Sequence, residues 1–137
     1  MVVDDDPDVS KAIKMMLEHD GHSVQTAGSA KEALSLFEQG TFDVVITDYS
    51  MREVKGDKLA IALKQRRPGQ PVVMITAHAD VLQVSGNPLN GVDFLLSKPF
   101  FLDDLREALF CVLLSSYKSS ADEVSILGDM PRMGGGL

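Results

Sequence analysis

Five short apolar runs, separated by amphipathic segments, constrain this chain more than any other feature. They are VV at 2–3, HSVQTA at 22–27, FDVVIT at 42–47, PVVMIT at 71–76 and VDFLLS at 92–97. The runs around residues 44, 73 and 95 are nearly continuous rather than alternating. A strand with one wet face alternates, so continuity points to parallel strands covered on both faces. Val24 to Thr26 is weaker and reads as an edge. Between the runs, Val9, Ile13, Met16 and Leu17 recur at helical spacing, as do Ala30, Ala33, Leu34 and Phe37. Leu59 and Leu63 begin a third apolar face; Leu102, Leu105, Leu109, Val112 and Leu113 draw the last. Ser29 with Glu32 forms a capping box, and Gly21 and Gly40 stand where helix ends favour glycine. The pattern is five βα units, hence an α/β domain with a parallel sheet and about five helices.

One of those helices is poor. Residues 80–89 carry Val81, Leu82 and Val84 and then Gly86, Asn87 and Pro88. Interior proline and glycine cost roughly 3 and 1 kcal/mol in a helix, so a short or broken helix is expected there. After about residue 115 the sequence turns serine-rich and ends in three glycines, without a sustained apolar face. Residues 1–115 are thus read as the domain and residues 116–137 as a poorly ordered C-terminal tail or linker.

Composition narrows the function classes. In 137 residues the net charge is −7 and the pI near 4.8. Phosphate backbones are bound by an excess of lysine and arginine, so no nucleic acid is expected on this domain. A single cysteine, Cys111, offers no disulfide partner and leans towards a reducing compartment, with the cytoplasm as the expected location. No run of about 18 apolar residues is present, and no basic-then-apolar leader, so neither membrane insertion nor export is expected.

Polar residues then appear where ligands of open parallel sheets bind, outside the carboxyl ends of the strands. Asp4 and Asp5 close the first strand, Asp48 follows the third, Thr76 ends the fourth, and Lys98 follows the fifth. With strand order 2-1-3-4-5 the first and third strands are neighbours, which gathers Asp4, Asp5 and Asp48 with Thr76 and Lys98 alongside. Three consecutive acids at 4–6 are unfavourable unless something positive sits among them. Hard oxygen ligands with few committed side chains suit Mg²⁺, which keeps waters and takes a phosphoryl oxygen as a further ligand.

VVDDD at 2–6, VVITDYSM at 44–51, Gly56, MITAH at 74–78 and SKPF at 97–100 together resemble the receiver domain of two-component response regulators, of the chemotaxis-regulator type. The resemblance spans residues 1 to about 115 and implies a flavodoxin-like, doubly wound sheet. It implies Asp48 as phosphoacceptor and Asp5 as a direct Mg²⁺ ligand. Asp4 would hold a metal-bound water, and the backbone carbonyl of Ser50 would complete the protein ligands. Thr76 would hydrogen-bond the phosphoryl group and Lys98 would pair with its oxygens. A cis peptide between Lys98 and Pro99 is implied as well. The implied partner is a sensor histidine kinase or histidine phosphotransfer protein, with a phosphorylation-dependent dimer as a further association. No separate organic cofactor is implied, and the domain is a self-phosphorylating and self-dephosphorylating signalling unit rather than a turnover enzyme.

Other residues have plainer readings. Asp6 and Asp8 suit the start of a helix around Pro7. His19 and His22 flank Gly21 as helix-end histidines, Met15 and Met16 fill a helix, and Cys111 sits one step off the apolar stripe. Ala77 leaves room for a phosphoryl group, and His78 and Ser50 lie at the mouth of the site. Several positions depart from the family pattern: Leu95 stands where an aromatic residue is frequent, with Phe94 one place earlier, and Arg52 and Lys55 replace a common proline and a frequent acid. The first bears on signal relay, and the loop residues Arg52 and Lys55 on partner recognition or loop shape. Two other functions are compatible with the scaffold. One is a receiver-like interaction module that does not use phosphorylation. The other is a metal-dependent phosphohydrolase or nucleotide binder on the same fold. The complete Asp, Asp, Thr and Lys set argues against the first, and the lack of a glycine-rich phosphate loop after the first strand against the second.

Overall fold

The computed structural model describes residues 1–77 and 90–128, with side chains through residue 116. The elements run β1 (Val2–Val3), α1 (Pro7–His19), β2 (Thr26–Ala27), α2 (Ala30–Gln39), β3 (Val45–Asp48), α3 (Gly56–Arg66), β4 (Val72–Thr76), β5 (Phe94–Ser97) and α4 (Leu102–Gly128). All strand pairs are parallel and the order is β2-β1-β3-β4-β5, as the alternating pattern predicts. The helix expected at 80–89 falls outside the described residues.

Side chains alternate across a strand, which explains why the central runs are apolar throughout. Val3, Val45, Val72 and Met74 point to one face, where Ala33 and Phe37 of α2 and Leu59 and Leu63 of α3 meet them. Their neighbours Val2, Ile46, Val73 and Ile75 point to the other, against Ile13 and Leu17 of α1 and Leu105, Leu109 and Val112 of α4. Every residue of β3 and β4 is buried. Deleting an anchor such as Phe37 from this packing would cost about 3–5 kcal/mol. β5 lies at the sheet edge, as the order 2-1-3-4-5 requires; its Phe94 and Leu95 are half-buried, turned to opposite faces.

Helix ends follow local chemistry. Asp6 caps α1, accepting the Asp8 N–H at 3.0 Å, with Pro7 in the first turn. Ser29 caps α2 by accepting the Glu32 N–H at 3.1 Å, and the Glu32 carboxylate reaches back to the Gly28 N–H at 2.8 Å. After α1 the chain reverses through Gly21 at φ +90°, a conformation that suits glycine. Gly40, by contrast, is extended at φ −157°, so its backbone makes no demand for glycine.

Three further features depart from the sequence pattern. β2 has only two residues, because Thr26 and Ala27 alone pair with the equally short β1. Leu113 is exposed rather than in the core stripe; the small Ala108 takes a fully buried place on that helix face. Finally, α4 runs on through 116–128, within the stretch read as tail from its composition. No helix among the described residues is long and apolar enough to cross a membrane.

Candidate functional site

The register of the sheet assembles the site. β1 and β3 are hydrogen-bonded neighbours, so Asp4, just past β1, lies beside Asp48, the last residue of β3. β4 contributes Thr76 at its end, and Lys98 follows β5, its N–H donating to the Thr76 carbonyl at 2.9 Å. Sequence reasoning therefore places Asp4, Asp48, Thr76 and Lys98 at one end of the sheet, and the structure finds them there.

Asp48 is firmly positioned. The ladder continues one step beyond it, with the Tyr49 N–H donating to the Ile75 carbonyl at 2.9 Å. The buried Thr47 hydroxyl donates to the Asp48 carbonyl at 3.1 Å. The first residue of α3, Gly56, packs against that same carbonyl so closely that any Cβ there would overlap the oxygen. Gly56 also donates its N–H to the Tyr49 carbonyl at 2.9 Å, closing the loop 49–55 over the strand end. Sequence reasoning noted Gly56 without this reason; only the close approach of the two backbones supplies it.

Electrostatics explain how the acids coexist. Asp4 is 4% exposed and Asp48 5%. The Lys98 ammonium lies 2.8 Å from the Asp48 carboxylate. Asp4 accepts the Asp6 N–H at 2.9 Å. Burial pushes the Asp4 carboxyl above its ordinary 3.8; the Asp6 N–H opposes this, Asp48 adds to it, Lys98 opposes it, and Asp5 adds a little more. Asp5 turns away towards the loop, where Arg52 meets it with both its backbone N–H, at 2.9 Å, and its guanidinium, at 3.4 Å. The three carboxylates thus do not converge on one point: among the described residues no group of three His, Cys, Asp or Glu side chains is arranged to hold a metal ion. The acidic pocket read from the sequence is divided into two ion pairs, Asp48 with Lys98 and Asp5 with Arg52.

Ser50 is exposed on the loop two residues after Asp48, and Ala77 is exposed beyond β4. His78 lies outside the described residues. The Lys98–Pro99 peptide is cis, as the resemblance implies. Beside Asp5, a cleft of about 340 Å³ is lined by Ser29, Met51, Arg52, Glu53 and Val54. A larger one, about 690 Å³, opens at the other end of the strands, lined by residues such as Gln25, Asp43 and Leu113, and shares no residue with the acids.

The sequence profile of the family described as the response regulator receiver domain matches residues 1–110. The chain belongs to this family. As a receiver domain it is 35% identical over 109 residues to the transcriptional regulatory protein GlrR of Escherichia coli, an alignment covering 80% of this chain and 24% of GlrR. The receiver domain thus spans about a quarter of the length of that relative. A solved receiver domain protein from Clostridium thermocellum is 30% identical with TM-score 0.77, covering 86% of this chain and 95% of that one. The response regulator TrrA of Thermotoga maritima, solved in complex with Mg²⁺ and BeF, is 27% identical with TM-score 0.73, covering 82% of this chain and 96% of that one.

Proposed function

We propose that this receiver domain accepts a phosphoryl group on Asp48 from a histidine kinase or histidine phosphotransfer protein in a Mg²⁺-dependent reaction, and that the phosphorylated form changes its partner interactions. The observation that carries the reading is the buried Asp48 carboxylate at the end of a central strand, with the Lys98 ammonium 2.8 Å away. A carboxylate oxygen of Asp48 attacks phosphorus, the P–N bond of the donor phosphohistidine breaks, and the electron pair leaves with the imidazole. Two anions must approach each other for this to occur. Lys98 offsets charge on the transferring oxygens, and the Thr76 hydroxyl at the end of β4 serves as hydrogen-bond donor to the product. Burial on the strand end holds the nucleophile still, so little ordering is left to the moment of transfer.

Mg²⁺ fits the donor set. Asp4, Asp5, Asp48 and the Ser50 carbonyl are all hard oxygen ligands, the donor type this ion takes, and Asp5 would turn from Arg52 to join them. When bound, the ion polarises the phosphoryl oxygens as a Lewis acid. Asp5 would hold it directly and Asp4 through a water. The domain works as a signalling switch, located in the cytoplasm on this reading. Intact-mass measurement after incubation with a small acyl phosphate tests it: a single phosphoryl adduct in Mg²⁺ and none in chelator is expected. Turnover of the donor without an adduct would contradict it.

A further inference from the structure

Arg52 has no part in the chemistry above, yet it sits on a residue the chemistry needs. It stands four residues after Asp48 on the loop 49–55. Its backbone N–H donates to the Asp5 carboxylate oxygen Oδ2 at 2.9 Å, and its Nε lies 3.4 Å from the same oxygen. The Arg52 side chain is otherwise 86% exposed, whereas that of Asp5 is 22% exposed. Asp5 is the only carboxylate that Arg52 pairs with among the described residues.

We propose that Arg52 is a built-in competitor of the divalent cation: its guanidinium neutralises Asp5 in the metal-free domain and leaves when the cation binds, thereby raising the cation concentration at which the domain becomes competent. The inference rests on reading Asp4 and Asp5 as cation ligands. Three consecutive acids next to Asp48 repel one another, and a chain-borne cation relieves that repulsion in the metal's absence. Guanidinium suits the part because it stays protonated at every physiological pH, so the competitor always carries its charge. Its weakness also suits the part. A solvent-exposed pair contributes little net free energy, so Arg52 shifts the binding curve without closing the site. A divalent ion on the same oxygens places two charges where the guanidinium holds one, and like charge then drives Arg52 off towards the mouth of the site. The backbone N–H contact is open to any residue at 52 except proline, so Arg52→Gln keeps it and isolates the charge.

The test is a Mg²⁺ titration of ¹⁵N-labelled protein by NMR, comparing the wild type with Arg52→Gln and with Arg66→Gln. The second variant removes the same charge from a residue that pairs with Glu38 on α2, outside the acidic site. Arg52→Gln should tighten Mg²⁺ binding about two- to five-fold, the range an exposed ion pair supports, and Arg66→Gln should tighten it less. In the wild type, Mg²⁺ should also shift the Arg52 Nε–H resonance along the same binding curve. Unchanged or weaker binding in Arg52→Gln, with saturable Mg²⁺ binding in the wild type, would overturn the competitor while sparing the metal site. Equal tightening in both variants would also overturn it, as a general charge effect. No saturable binding in any form would remove the metal reading itself, and the competitor with it.

Discussion

Lys98 and Asp48 meet at 2.8 Å across the intervening strand β4, one following the edge strand β5 and the other ending the central strand β3. The lysine side chain is 34% exposed and the aspartate 6%, so the pair is unequal. Lysine can hydrate without its partner; Asp48 cannot.

That inequality predicts asymmetric mutants. Lys98→Met leaves a buried carboxylate without its cation and should destabilise the metal-free domain by about 1–3 kcal/mol. Asp48→Asn removes the charge that repels Asp4 and should be neutral or stabilising. The double variant should recover most of the loss. Urea unfolding of the three forms checks this, and equal destabilisation by both single variants would contradict it.

Asp4 gives a pH dependence of defined sign. Its folded-state carboxyl is raised above 3.8, chiefly by burial. The folded state therefore holds the proton more tightly than the unfolded chain. The associated stability is fully present below 3.8 and is lost as pH rises through the raised folded value. Above that raised value Asp4 is consequently a burden to the metal-free fold. Asp4→Asn, which keeps an oxygen for the Asp6 N–H, should unfold at higher urea than the wild type at pH 7. The advantage should shrink as pH falls towards 3.8. Urea midpoints in chelator across that range measure the difference; an advantage that grows with acid would show the opposite sign.

Gly56 and Gly40 should respond oppositely to alanine. A Cβ at Gly56 would overlap the Asp48 carbonyl oxygen, and backbone cannot give way as a flexible side chain can. Gly56→Ala should cost about 1–3 kcal/mol, the range for overpacking, and should shift the amide resonances of Asp48 and Tyr49. At Gly40 the added atom meets nothing within 4 Å and the backbone is extended. Gly40→Ala should be neutral or stabilising by up to about 1 kcal/mol through the unfolded state. Thermal unfolding of the two variants compares them directly.

The sheet was legible because burial on both faces removes the alternation from a strand and leaves an apolar run that can be seen in sequence. The positions of Asp4, Asp48, Thr76 and Lys98 followed, since each ends or follows such a run. The partner of Asp5 was not legible. Which way a carboxylate turns depends on the path of loop 49–55, which ends where Gly56 packs on the Asp48 carbonyl, a contact between backbones with no side-chain signature. The extent of α4 was hidden for another reason: the segment after residue 115 is serine-rich and has no clear core stripe, so periodicity stopped where the helix did not. Leu113 misled in the opposite way, being apolar at a helical interval yet turned to solvent while Ala108 fills the core.

On the function proposed above, Asp48 is the phosphoacceptor. Peptide mapping after treatment with a small acyl phosphate in Mg²⁺, with borohydride trapping of the acyl phosphate, tests it most directly. One modified residue, Asp48, is expected, with no adduct in Asp48→Asn and with Lys98→Met slower by at least about ten-fold, equivalent to about 1.4 kcal/mol in the barrier. An adduct on Asp4, Asp5 or any other residue in the wild type, or one retained at full yield by Asp48→Asn, would contradict it.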